Sequence, residues 1–289
     1  MKVTFDMLTP ASLQEALGML EKDGEHITPV AGGTNLIVDC QSGRHQPAVV
    51  MNVHNLSELS FIEEQDGSIQ VGGGTTIRAI EQSELIKQTS NALYKASIQF
   101  ANPLIRNRAT LAGNLCDGSP ASDMAVPLLA LGAEVQLTSK TGSRWMPLDS
   151  FFVHVRKTQR KAEELLTTVS WSIPAQNSAN AFYKLGLRKA DAISVVSLAV
   201  YVAMGSNGRI SEVRIALGSV APTPLRAYEA EALLKDKEPD ESLFAQAAKS
   251  AAMACSPISD VRATAEYRRE MVEVLVKRLL RACVEQIRA

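Results

Sequence analysis

The chain has 289 residues, 46% apolar and 21% charged, the balance of an ordinary globular protein with material for one large domain or two medium ones. Its 30 Lys plus Arg nearly cancel its 31 Asp plus Glu, and the net charge of −1 excludes bulk attraction to nucleic acid or anionic lipid. No apolar run approaches the ~18 residues of a membrane span, and "MKVTFDMLTPAS" puts polar and acidic residues where an apolar leader would sit, so no signal peptide is expected.

In chain order, residues 11–22 read as a helix: Ser12 and Glu15 have capping-box spacing, and Leu13, Ala16, Leu17 and Leu20 share a face. A short strand "HITPVA", the turn Gly32-Gly33-Thr34 and the segment "NLIVDC" follow. A strand at 48–53 precedes a hairpin over 56–74 that turns at Asp66-Gly67. Residues 75–88 read as one helix capped by Thr75 or Thr76, and 91–102 as another that ends before Pro103. Residues 125–152 give a buried segment and a hairpin turning at Thr141-Gly142, and 164–174 a strand closed by Pro174.

The small polar stretch 175–180 is the expected domain boundary. Beyond it, long strands over 192–204 and 210–220 meet across Ser206-Asn207-Gly208, and two long helices follow. The last, from about Thr264, lines up Val272, Leu275, Val276, Leu279, Cys283 and Ile287 as a packing stripe.

Most catalytic signatures fail. Gly72-Gly73-Gly74-Thr75-Thr76-Ile77 has Ile77 where the third glycine of a dinucleotide fingerprint belongs. His26, His45, His54 and His154 have no metal spacing, and the carboxylates are dispersed. Cys40, Cys116, Cys255 and Cys283 form no Cys-x-x-Cys pair, so this chain is expected to hold no zinc or iron–sulfur cluster and to carry free thiols in a reducing cytoplasm.

Two loops remain: "PVAGGTNL" (29–36) and "TLAGN" (110–114), the second leading into "SPASD". Glycine turns after strands bare backbone N–H groups that attract phosphate oxygens. Gly32, Gly33 and Gly113 allow close approach, and Thr34 and Asn114 add polar side chains. Facing each other, the two turns could hold a pyrophosphate from both sides.

"AGGTNL" followed by "IRNRATLAGNLCDGSPASDMAVPLLALGAEV" resembles the FAD-binding subunit of the molybdenum hydroxylases, the family of xanthine, carbon monoxide and nicotinate dehydrogenases. The resemblance continues through "ELLT" (164–167), "AFYKLGLRKADAIS" (181–194), "RIALGSVAPTPLRA" (214–227) and "DVRATAEYRREM" (260–271), and covers nearly the whole chain. It implies an α+β vanillyl-alcohol-oxidase-type (PCMH-type) FAD-binding fold. Two subdomains, about 1–54 and 55–176, would hold FAD between them, with a C-terminal α+β domain of carbon monoxide dehydrogenase flavoprotein type over 177–289.

The resemblance also implies the site. The first pyrophosphate loop falls on Val30, Ala31, Gly32, Gly33, Thr34, Asn35 and Leu36, and the second on Thr110, Leu111, Ala112, Gly113 and Asn114. Asp123 matches a ribose-side or pyrophosphate-side contact, Phe100 a bulky contact, Leu166 a leucine beside the flavin and Lys184 the lysine near its ring. By residue type alone, Asp123 also suits a helix cap and Phe100 the core. Asn35 stands where many relatives have Asp, and Ala192 where some have a tyrosine over the flavin.

As a member of this family the chain would hold FAD non-covalently and have no catalytic residue of its own. It would take electrons from [2Fe–2S] clusters on a small subunit and pass them to NAD⁺ or another acceptor. A large molybdopterin-binding subunit would oxidise the substrate, a purine, other N-heterocycle or related compound. The alternatives are a stand-alone flavin oxidase of the same fold and a cofactor-free scaffold.

Overall fold

The structure is a computed structural model that describes residues 4–289. The first unit runs β1 (Asp6–Leu8), α1 (Leu13–Asp23), β2 (Ile27–Val30), α2 (Leu36–Gln41) and β3 (Val49–Asn52). Its sheet is parallel, in the order β1-β3-β2, with a helix in each connection, as parallel pairing requires. At the start of α1, Ser12 Oγ accepts from Glu15 N at 3.2 Å, and Glu15 Oε2 accepts from Ala11 N at 2.7 Å. Ala16, Leu17 and Leu20 of α1 bury against Ile27, Met51 and Val53. Each leucine so buried stabilises the unit by roughly 1.5–3 kcal/mol.

A 3₁₀ turn at Ser57–Leu59 opens the second unit. It continues through β4 (Ile62–Gln65), β5 (Ser68–Gly72), α3 (Ile77–Gln82), α4 (Glu84–Thr89), α5 (Asn91–Gln99), α6 (Pro103–Arg106), α7 (Leu111–Cys116) and α8 (Ala125–Leu131). Next come β6 (Glu134–Ser139), β7 (Gly142–Pro147), α9 (Leu148–Phe151), the hairpin of β8 (Phe152–His154) and β9 (Lys157–Thr158), and β10 (Leu165–Ser172). The antiparallel sheet has the order β4-β5-β10-β6-β7, so β10, the last of its strands in sequence, lies at its centre. Val71, Val135, Leu137, Val169 and Trp171 pack there against buried residues of α3, α5, α7 and α8.

Three expectations change, and the choice between Thr75 and Thr76 as helix cap is decided. The helix expected over 75–88 breaks at Ser83, whose backbone is extended (φ −74°, ψ 117°) and whose Oγ caps α4 by accepting from Ile86 N. Thr76, not Thr75, caps α3; the Thr75 hydroxyl instead bonds the backbone of Phe61. The helix expected to reach 102 ends at Gln99, because Asn102 caps α6 with Pro103 at its first position. The β6–β7 turn is Lys140-Thr141, with Gly142 opening β7.

The third unit comprises β11 (Ser178–Gly186), β12 (Ser194–Met204), β13 (Ile210–Gly218), β14 (Leu225–Arg226), α10 (Tyr228–Leu234), α11 (Glu241–Met253) and α12 (Ala265–Arg288). Its sheet is antiparallel in that order. All eleven residues of β12 are buried, because α12 packs on one face and α8 on the other. The α12 stripe Val272, Leu275, Val276, Leu279 and Cys283 lies in this core, with Ile287 packed at its edge. Several polar joints dock the unit on the second, two of them through backbone N–H groups. Asn180 Oδ1 accepts from Ala92 N at 2.7 Å, and Ser219 N donates to Pro120 O at 2.8 Å.

Candidate cofactor-binding site

The two glycine turns open from different units onto one cavity of about 1000 Å³. That is the upper end of the ~300–1,000 Å³ typical of small-molecule sites. The first turn links β2 to α2. Gly33 takes φ +70°, the left-handed region that favours glycine. Gly32 serves closeness instead: a Cβ there would lie 2.0 Å from Arg108 O and 2.9 Å from Ala109 Cα, just ahead of the second turn. The turns are therefore packed backbone to backbone.

Their donors differ. Among the described residues, no acceptor receives a hydrogen bond from the N–H groups of Gly32, Gly33, Thr34, Asn35 or Leu36. These residues are half-buried except for the exposed Asn35; such a row of N–H groups in a cavity wall calls for a partner, and oxyanions supply one. In the second turn the amides are already committed. Leu111 N donates to Thr75 O, Ala112 N to Gly73 O, Gly113 N to the Thr110 hydroxyl and Asn114 N to Thr110 O. This turn offers a wall and the Asn114 side chain rather than a second row of donors. Asn114 Oδ1 accepts from Ser122 Oγ at 2.6 Å and from Met124 N at 3.2 Å, which ties the turn to the Ser-Pro-Ala-Ser-Asp loop.

Val30, Ala31, Gly32, Gly33, Thr34, Asn35 and Leu36 all line the cavity, as do Thr110, Ala112, Gly113 and Asn114. Phe100 and Leu166 add an apolar stretch. Leu111 does not line it; its side chain is fully buried in the core of the second unit. Asp123 and Lys184 are not in the wall either. They form a buried ion pair at 2.6 Å, and Lys184 Nζ also donates to Gln99 O, next to Phe100. Asp123 is not a helix cap: Met124 occupies that position before α8, with no side-chain cap bond. Burial pushes the Asp123 carboxyl above the usual carboxylate range against the pull of Lys184, and its Oδ1 has no partner.

Several wall residues escaped the sequence reading. Gly73 and Gly74, part of the failed dinucleotide match, line the cavity. A Cβ on Gly73 would lie 2.1 Å from Leu166 O, and Gly73 N donates to Thr167 O at 2.8 Å. The β10 register slips between Leu166 and Thr168 at that point, a bulge that brings Leu166 to the cavity wall. Three consecutive glycines at a strand end were the available signal, since they mark close backbone approach. Cys116 also lines the wall, its thiol pushed up to about 11 by burial despite the opposing Arg160. Asp39, Asp117 and Arg156 lie at the cavity as well, and no local pattern announces them.

The arrangement suits an elongated ligand with phosphate oxygens at the first turn and an apolar part beside Phe100 and Leu166. Among the described residues, no cluster of three or more His, Cys, Asp or Glu could hold a metal ion. No described helix is long and apolar enough to cross a membrane.

Residues 3–176 match the family model of the FAD binding domain in molybdopterin dehydrogenase, and residues 181–283 that of the CO dehydrogenase flavoprotein C-terminal domain. The chain is 34% identical over 235 residues to a nicotinate dehydrogenase FAD-subunit of Eubacterium barkeri, covering 80% of this chain and 79% of that one. It is 29% identical over 276 residues to a putative xanthine dehydrogenase FAD-binding subunit of Escherichia coli, covering 95% and 94%. Among solved structures, a chain of reconstituted CO dehydrogenase from Oligotropha carboxidovorans superposes with a TM-score of 0.94 at 29% identity over 99% of both chains.

Proposed function

The chain belongs to the FAD-binding subunits of the molybdenum hydroxylases, and we propose that it is the flavin-carrying electron-transfer subunit of such an assembly. In this reading it accepts electrons from [2Fe–2S] clusters of an iron–sulfur small subunit. It passes them to NAD⁺ or another acceptor, while a molybdopterin-binding large subunit oxidises a purine, other N-heterocycle or related substrate. The relatives named for xanthine and nicotinate dehydrogenase motivate that substrate class. The assembly would work in the cytoplasm. Residues 1–176 carry the cofactor, and 177–289 form the covering domain.

One observation carries the cofactor assignment: the row of unpartnered N–H groups from Gly32 to Leu36 in the wall of a cavity backed by the second turn. These amides would hold the diphosphate of FAD, and Asn114 would supply a polar side chain opposite. Phe100 and Leu166, which line the cavity, would flank the flavin end. Lys184, fixed by Asp123 and Gln99 O, supplies a buried positive charge behind that apolar stretch, where a cation favours negative charge on the ring system. When bound, FAD supplies the exchange between one-electron and two-electron transfer that links iron–sulfur clusters to a hydride acceptor. The Cys116 thiol, pushed up to about 11 by burial, stays protonated at neutral pH and is a poor nucleophile toward a flavin, in keeping with non-covalent binding.

The test is the full chain purified with its cofactor. It shows a flavin spectrum, and acid precipitation leaves free FAD in the supernatant. A chain that neither carries nor takes up FAD overturns the reading; flavin that stays with the acid pellet overturns its non-covalent part. Turnover of a small oxidisable substrate by this chain alone would favour a stand-alone oxidase.

A further inference from the structure

Each glycine turn is followed by a short helix, and each helix ends near an aspartate. Asp39 lies on α2 beyond the first turn, and Asp117 caps the C-terminus of α7 beyond the second. One guanidinium nitrogen joins them: Arg156 Nη1 lies 2.9 Å from Asp39 Oδ2 and 2.9 Å from Asp117 Oδ1. Arg156 belongs to neither helix. It sits at the turn of the β8–β9 hairpin, in the left-handed region at φ +59°. All three residues line the cavity.

The joint is built on both sides. Arg156 N donates to Gly118 O at 2.9 Å, and Gly118 takes φ +60° with little space beside it: a Cβ there would meet Arg156 Cα and Lys157 N at 3.1 Å. Arg44 Nη2 holds the other oxygen of Asp39 at 2.8 Å. Both aspartate side chains are mostly covered, at 14% and 13% exposure, whereas Arg156 is 46% exposed. The carboxylates are thus fixed, and the cation bridging them is open to solvent and to salt.

We infer that Arg156 is a positioning residue for the cofactor: its guanidinium ties the helices behind the two glycine turns and so fixes the width of the gap that takes the diphosphate. This rests on the reading that the cavity holds FAD. Gly32 and the Arg108–Ala109 backbone set how closely the turns approach, and Arg156 sets how readily they part. With the bridge broken, the two units hold the diphosphate less firmly, and FAD leaves faster while the rest of its contacts remain.

The experiment measures FAD release from the full-length holoprotein, by the rise in flavin fluorescence after dilution, for wild type, Arg156→Ala, Arg156→Lys, Asp117→Asn and the double variant R156A/D117N. Two ion pairs from one half-exposed arginine to covered carboxylates predict release about three- to tenfold faster for R156A, with R156K intermediate. The double variant should be no faster than R156A, because the pair acts as a unit. Raising NaCl should speed release from wild type and leave R156A nearly unchanged. Melting of the flavin-free proteins separates positioning from general destabilisation: R156A should melt close to wild type. Wild-type FAD release that R156A leaves unchanged, or additive effects of the two substitutions, overturns the inference alone. Wild type that binds no FAD overturns the reading beneath it.

Discussion

Gly32 is the point where the two turns touch, so Gly32→Ala probes the account at its centre. The added methyl carbon would lie 2.0 Å from Arg108 O and 2.6 Å from Arg108 C, against an ordinary contact of 3.4 Å or more. Both atoms are backbone, so no rotamer relieves the clash, and one turn must retreat by more than an ångström. Overpacking of this kind costs about 1–3 kcal/mol. If that falls on the FAD-bound geometry, affinity drops about 5- to 150-fold. Two control variants separate the cause. Gly33→Ala incurs left-handed strain at φ +70°, about 1–2 kcal/mol, yet its Cβ meets nothing nearer than 3.6 Å, so the turns stay together. Gly43→Ala carries the same strain at φ +74° outside the cavity wall and should lower stability while leaving FAD affinity within about twofold. FAD titration by flavin fluorescence, with thermal melts of each flavin-free protein, reads both effects. The order expected for lost affinity is G32A, then G33A, then G43A. Wild-type affinity in G32A would refute the claim that the packed turns build the site.

The buried Asp123–Lys184 pair makes a second prediction. Asp123→Asn strands a buried ammonium and should cost about 3–5 kcal/mol in urea unfolding. Lys184→Met should cost less, because Asp123, its pKa already raised by burial, can take up a proton; that variant should lose stability as pH rises above about 4, and D123L/K184M should be more stable than D123N. Near α12, backbone N–H donation from Arg262, aided by the Arg262 and Arg268 side chains, holds Asp260 at about 2, below its ordinary 3.8. Its stabilisation is therefore present above pH 3.8 and fades as pH falls through 2, so Asp260→Asn should be less stable than wild type at pH 7 and nearly equal to it at pH 2; a constant gap would contradict this. Cys116 should react slowly with a disulfide reagent at neutral pH, faster as pH climbs toward 11, and more slowly still with FAD bound. Rapid reaction at pH 7, or none of the protection, would argue against its place in the wall.

Local chemistry makes much of the fold readable in the sequence. The Ser12–Glu15 cap, the Asp66-Gly67 turn and the α12 stripe each depend on residues within a few positions of one another, and each lies where its pattern puts it. The break at Ser83 was hidden because the apolar period runs on across it; only the serine hydroxyl, capping Ile86, distinguishes two helices from one. In the site, the glycine turns were visible because glycine advertises backbone access. Gly73-Gly74 was set aside for failing a motif, although the close approach it permits, to Leu166, is why it lines the cavity. Arg156 could not be found from sequence. Its partners are 117 and 39 positions away, and nothing in "HVRKT" distinguishes it from a solvated arginine. The same holds for Lys184, whose partner Asp123 is 61 positions distant and could be named only through the family resemblance.

Amide hydrogen exchange over residues 29–37, with and without FAD, tests the central claim most directly. Gly32, Gly33, Thr34, Asn35 and Leu36 should exchange fast in the flavin-free chain and become strongly protected once FAD binds. Residues 111–114, whose amides are already paired within the fold, should change far less. FAD bound tightly with no added protection at the first turn would contradict the account.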